Sequence, residues 1–96
     1  MNEYDIRIGS VVLSKQGRDK GNYFMVVSKG KDVVYLVDGG ARKLNAPKKK
    51  NIKHISQSGT VLEAIADKLA TGKKVFDSEV KSALRQFNQQ QSEIGD

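Results

Sequence analysis

Nine of the twelve cations in the first 53 residues supply the chemistry this chain has to offer. Lys15, Arg18 and Lys20 crowd one short stretch. Arg42, Lys43, Lys48, Lys49, Lys50 and Lys53 fill a later one. Lysine presents a compact point charge, and arginine a planar fork that matches two phosphate oxygens at once. Spread over a surface, such groups bind a polyanion by releasing its counterions. The first group is framed by glycines, because Gly17-Arg18-Asp19-Lys20-Gly21 separates two runs that read as strands, Ser10–Ser14 and Tyr23–Val27. Glycine serves where φ must be positive or a backbone must come close to something else. Its cations therefore stand at an exposed tip, steadied by the sheet on either side. Lys48–Lys50 also admits a plainer reading as a solvated loop.

Other chemistry is poorly supplied. His54 is the only histidine and reads as an exposed residue on an edge strand. No group of His, Asp and Glu has metal-ligand spacing, so neither a metal nor a cofactor is expected. Asp19, Asp32, Asp38 and Asp77 read as turn or cap residues. Gly17-x-x-x-Gly21 lacks the Lys-Ser/Thr ending of a phosphate-binding P-loop. Thr71-Gly72-Lys73-Lys74 falls at a helix end, where the dipole favours cations over phosphate. The expectation is a protein without catalytic activity. Tyr4, Tyr23 and Tyr35 are the only tyrosines and read as structural, which favours contact with backbone and shape over stacking on bases.

The elements that must hold the cations follow from periodicity. Tyr4, Ile6 and Ile8 alternate with polar residues, as a half-buried extended segment does. Ser10–Ser14, Tyr23–Ser28 and Val33–Val37 read as strands, the last two as a hairpin across Lys29–Asp32. Asp38-Gly39-Gly40 signals a turn, after which a short strand near Ala41–Leu44 and another at Ile52–Ile55 are predicted. Five short strands with tight glycine turns predict a small antiparallel barrel. Phe24 and Val26 face inward, while Tyr23, Met25 and Val27 leave an apolar stripe outside that something must cover.

The second half changes period. Thr60 and Glu63 match a capping box, and Val61, Leu62, Ile65, Ala66 and Leu69 share one helical face. Gly72 suits a helix end, and Asp77 a second N-cap. Val80, Ala83, Leu84 and Phe87 recur at helical spacing. Two short helices are predicted, roughly 61–71 and 78–90, packed on the barrel, on each other or on a second subunit. The chain beyond Asn88 is expected to fray. The reading divides the chain into a barrel over 1–56, a helical extension over 57–90 and a flexible tail over 91–96.

Ninety-six residues bury only about 60–65% of their unfolded surface, so nearly the whole chain must share one core. The net charge is +6, unevenly spread. Residues 1–56 hold 12 Lys and Arg against 5 Asp and Glu; residues 57–96 hold 5 against 6. A front half at +7 and a back half at −1 suggest a polyanionic partner for the front. With no cysteine, no apolar run long enough to span a membrane and a polar, acidic N-terminus, the expected setting is cytoplasmic, without membrane contact.

Gly9-x-Val11-Val12, the Gly17–Gly21 turn and the apolar strand to Val27 resemble a KOW motif, whose hallmark is a glycine after a basic turn between two strands. Gly21 takes that place. Val33-x-Tyr35-Leu36-Val37-Asp38-Gly39, the basic segment after it and Asn51-Ile52-Lys53-His54-Ile55 extend the likeness over about residues 6–56. They are similar to the archaeal and eukaryotic large-subunit ribosomal protein fourteen-e family, and more so to the short bacterial KOW-domain RNA-binding proteins related to it. The resemblance implies an SH3-like barrel, RNA binding and a place on or near the ribosome. By position, it makes Lys15–Gly21 and Arg42–Lys53 the RNA-facing surfaces. The helices match no motif of that family and suit a homodimer contact or a protein partner, a ribosomal protein included.

The leading expectation is a non-catalytic protein that grips structured RNA, ribosomal RNA foremost, through its phosphates. The alternative is a protein-interaction module of the kind found in NusG-type elongation factors, with charge serving solubility. Duplex DNA is left open by charge, but neither helix is basic enough for a major groove. Replacing Arg18 and Lys20 together by glutamate should weaken RNA binding while leaving the thermal midpoint nearly unchanged. Unaltered affinity in a filter-binding or anisotropy assay would remove the turn from the interface.

Overall fold

The structure is a computed structural model that describes the backbone of residues 6–94 and the side chains of residues 6–90. Tyr4 of the predicted N-terminal segment lies outside the described residues. The strands are β1 (Ser10–Ser14), β2 (Tyr23–Gly30), β3 (Val33–Val37), β4 (Lys48–Asn51) and β5 (Ile55–Val61). A single 3-10 turn (Ile52–His54) joins β4 to β5, and two helices follow, α1 (Glu63–Ala70) and α2 (Asp77–Ile94). All strand pairs are antiparallel, in the order β4-β3-β2-β1-β5.

The alternation in β1, β2 and β3 decides how the sheet is covered. Val12 lies opposite Phe24, and Val26 opposite Leu36. With Val34 and Ile55 they form one core, closed by Ile6 and flanked by Ile8 and Ile52. The other face carries Val11 opposite Met25 and Met25 opposite Val37. Those three join Ile65 of α1 and Val80, Leu84 and Phe87 of α2 in a second core. Tyr23 and Val27 pack against it, with the Tyr23 and Phe87 rings edge to face at 4.9 Å. The apolar stripe expected to need a cover thus has one, and the helices supply it.

Several predicted elements differ from the observed ones. No strand forms at Ala41–Leu44, because side-chain acceptors satisfy that backbone instead of a ladder. The Asp38 Oδ1 accepts from the Gly40 and Arg42 N–H groups, and Asp77 Oδ1 accepts from the Leu44 N–H. Lys48–Lys50 is strand rather than loop, paired with β3. The strand predicted at Ile52–Ile55 is the 3-10 turn, and β5 begins only at Ile55 and crosses the expected boundary at residue 56. Thr60 does not cap a helix; β5 pairs with β1 as far as Val61 opposite Ser10, so α1 starts two residues later than predicted.

The helix ends are set by local chemistry. Gly72, at φ 74°, closes α1 in a Schellman arrangement, with the Lys73 N–H donating to the Lys68 carbonyl at 2.9 Å. Asp77 is the first residue of α2 rather than its cap. The cap is made from the other side, where Glu79 Oε1 accepts from the Phe76 N–H at 3.1 Å. The other Glu79 oxygen pairs with Lys68 of α1, and these two contacts hold the Glu79 carboxyl below its usual pKa. At its far end α2 runs to Ile94, past the expected fraying point and into the expected tail. Gln, Ser, Glu and Ile are all compatible with a helix, and no glycine or proline intervenes before Gly95.

Gly39 joins the two layers. Its φ is 78°, and a Cβ there would overlap the Asp77 carbonyl oxygen and stand 2.7 Å from the Lys81 nitrogen. The 38–40 turn therefore lies flat on the first turn of α2. Gly72 has a similar φ but open space around it. Gly72→Ala should cost about 1–2 kcal/mol for the left-handed conformation alone. Gly39→Ala should cost clearly more, measured by urea unfolding, because backbone must also move.

Candidate nucleic-acid interface

The Gly17–Gly21 turn is closed by its own backbone. The Gly21 N–H donates to the Ser14 carbonyl at 2.9 Å, the Asn22 N–H to the Asp19 carbonyl at 3.0 Å, and the Lys20 N–H to the Gly17 carbonyl at 3.2 Å. Both glycines have positive φ, 89° and 91°. Arg18 and Lys20 are exposed, but Asp19 between them turns inward, its side chain only 12% exposed.

Asp19 meets β4 there. Its Oδ1 accepts from the Ser14 hydroxyl and from Lys50 Nζ, both at 2.8 Å. Its Oδ2 lies 2.8 Å from Lys48 Nζ as an ion pair. Lys50 is 8% exposed and also donates to the Gln16 carbonyl at 2.6 Å. Burial pushes the Asp19 carboxyl up. Hydrogen bonds from Lys48, Lys50 and Ser14 and the Lys50 charge overcome that and hold it well below the usual carboxylate range. Two lysines of β4 therefore clamp the turn to the sheet.

This clamp brings the two cation groups together. Arg18, Arg42 and Lys48 stand around one depression of about 230 Å³, with Asn22, Ala41 and Asp38 on its walls and the ring of Phe24 beneath. Counting Lys50, four cations oppose Asp19 and Asp38, and the neighbourhood carries +2. Asp38 is engaged by the N–H groups of its own turn. The depression is smaller than the roughly 300–1,000 Å³ of sites that take a whole small molecule. Two guanidinium groups and the Lys48 ammonium share its lining with the Asp19 and Asp38 carboxylates.

The other predicted positions are dispersed. Lys15 is exposed at the root of the turn, and its N–H donates to the His54 carbonyl at 2.8 Å, next to exposed Lys53. Lys49 is exposed on the opposite side of β4 from Lys48 and Lys50, as strand alternation requires. Lys43 is exposed in the loop after the 38–42 turn. Lys50 is the one predicted contact that is buried, and it serves Asp19 and Gln16. Asp19 itself reads in the sequence only as a turn residue. An acid between two cations, followed at distance by three lysines, is the signal that could have found it. Among the described residues no group of His, Asp and Glu is placed to hold a metal ion, and no helix is long and apolar enough to cross a membrane. No family model and no curated protein matches the chain.

Asp19 has a depressed pKa in the folded state, so its contribution to stability is present above the unfolded value of about 3.9. It is lost as pH falls below that value towards the folded one. Asp19→Asn should lower stability by about 3 kcal/mol near neutral pH, because it leaves Lys50 buried without its counter-charge. The variant should also lose less stability than the parent between pH 5 and pH 2, read from thermal melts across that range.

Proposed function

We propose that this chain is a non-catalytic RNA-binding protein that holds structured RNA, ribosomal RNA foremost, by its phosphates and acts on or near the ribosome. The observation that carries the proposal is the meeting of Arg18, Arg42 and Lys48 at one depression. These residues come from two segments that the sequence separates by more than 20 positions. A surface charged only for solubility does not need such a clamp, since dispersed cations serve that purpose equally well.

The fold reading that accompanies this is an SH3-like barrel. Its support is threefold. The strands are five, all antiparallel, with the two outermost in the order, β4 and β5, joined by one 3-10 turn. Val12, Val26, Val34 and Leu36 are fully buried on the face that the helices do not cover. Flat strands would leave that face wet, whereas a sheet curled on itself encloses it. KOW motifs sit in such barrels, with the basic turn between the first two strands, where Gly17–Gly21 lies.

The protein-interaction reading draws less support. Its interface would be the apolar strand faces and the helices, and these are already packed on each other. Among the described residues Phe76 is the only large hydrophobic side chain more than half exposed. The same packing takes up the apolar helix faces that a homodimer would use.

Five engaged cations would give single-stranded RNA a log–log salt slope of about −3 to −4. A salt titration against a ribosomal RNA fragment and a DNA duplex of equal length should give such a slope and tighter binding to RNA. Equal affinity for both would reduce the surface to a general polyanion patch.

A further inference from the structure

Beside the depression, and sharing Asp38 with it, runs a second and larger groove of about 440 Å³ between the 38–40 turn and α2. Lys81 and Arg85 rim it, Leu84 lies at its base, and Asn88 and Gln89 stand at its far end. The turn side is held open by contact rather than by loop tension, since Gly39 rests on the Asp77 carbonyl and the Lys81 nitrogen. Lys81 and Arg85 are four residues apart on one helix face, and neither forms an ion pair among the described residues. Among the described residues Asp38 is the groove's only carboxylate, and its Oδ1 is turned to the N–H groups of Gly40 and Arg42.

Resting on the RNA-binding reading, we infer that this groove receives one unstacked nucleotide of the strand whose phosphate lies in the Arg18–Arg42–Lys48 depression. The groove is open to solvent and, at about 440 Å³ against 230 Å³, offers more room than the depression. Lys81 and Arg85 take the next phosphate. The base lies against Leu84 and the plane of the Arg85 guanidinium, as bases stack on arginine where aromatic rings are scarce. Asn88 and Gln89 each carry both donors and an acceptor and so can read a base edge. The nearly neutral helical half then contributes to the interface, and it supplies a preference among bases that the phosphate contacts cannot.

The test uses the full chain and labelled homopolymers of U, A and C about 12 nucleotides long, a length a small single-strand site covers. Fluorescence anisotropy across a salt series gives affinity and slope. Lys81→Gln with Arg85→Gln should weaken binding roughly tenfold and make the slope shallower by about 0.7, the share of the one phosphate they hold. Each single change should give about half that shift in slope. Asn88→Ala with Gln89→Ala should narrow the spread of affinities among the three homopolymers and leave the slope unchanged. All four positions are exposed, so the melting midpoint should hold. If these variants keep parental affinity, slope and base preference while Arg18→Glu with Arg42→Glu abolishes binding, the groove is not a nucleotide site and the RNA reading stands. The groove is likewise excluded, and the RNA reading kept, if the parent binds structured RNA but no homopolymer. If the parent binds neither, both readings fall.

Discussion

The three inner strands of this sheet, β3, β2 and β1, are apolar on both sides, and the chain has few residues with which to cover them. β2 sets the condition, since Phe24 and Val26 belong to one core and Met25 to the other, with none of the three more than 3% exposed. Burying a side chain of this size contributes about 1.5–3 kcal/mol. Exposing either face would therefore remove much of what a domain this small has to spare. Ile6, Ile8, Ile52 and Ile55 close one side from the sheet's own flanking segments. α1 and α2 close the other. The eight-residue α1 would not persist alone in water, and α2 buries Val80, Leu84 and Phe87 only in the core it shares with the sheet, so the sheet and the helices stabilise one another.

That constraint places the cations. Because α2 must sit over Val11, Met25 and Val37, its first turn comes against the 38–40 turn, and Gly39 is the residue that lets them touch. Because β4 must pair with β3 to complete the sheet, Lys48 and Lys50 arrive on the side of the Gly17–Gly21 turn. The Asp19 carboxylate then has two ammonium groups within reach, and the turn is fixed rather than loose. A fixed turn loses little conformational entropy when its exposed arginine meets a ligand. The acid that lowers the local charge is thus the group that orients what remains.

Much of the fold can be read from pattern, and the failures have identifiable causes. Ser10–Ser14 and Val33–Val37 are strands with the bounds that alternation and glycine turns imply. The two faces of β2 and the need for a helical cover follow from the same alternation. Thr60 and Glu63 form a sound local cap signal, but pairing of β5 with β1 overrides it, because a ladder of backbone bonds outweighs one side-chain cap. The loop after Val37 has residues fit for a strand, yet Asp38 and Asp77 take its N–H groups, and the second of these lies 33 positions from its partner Leu44. Lys50 looks like any other lysine in the run. Its burial depends on Asp19, 31 positions earlier, which spacing alone does not connect. In the same way Lys81 and Arg85 belong to a nearly neutral segment, and only the packing of α2 brings them beside the 38–40 turn.

The lysines of β4 have a consequence unrelated to any ligand. β4 stands at the end of the strand order, where an edge offers unpaired N–H and C=O groups to any passing chain. Edge strands that are flat and apolar recruit further strands and seed aggregates. This one reads Lys48-Lys49-Lys50-Asn51, with Pro47, which lacks an N–H, just before it. A second copy approaching edge to edge would have to bring like charges together. The run that resembles a nucleic-acid patch therefore also works against edge-to-edge pairing in a small, sheet-rich protein.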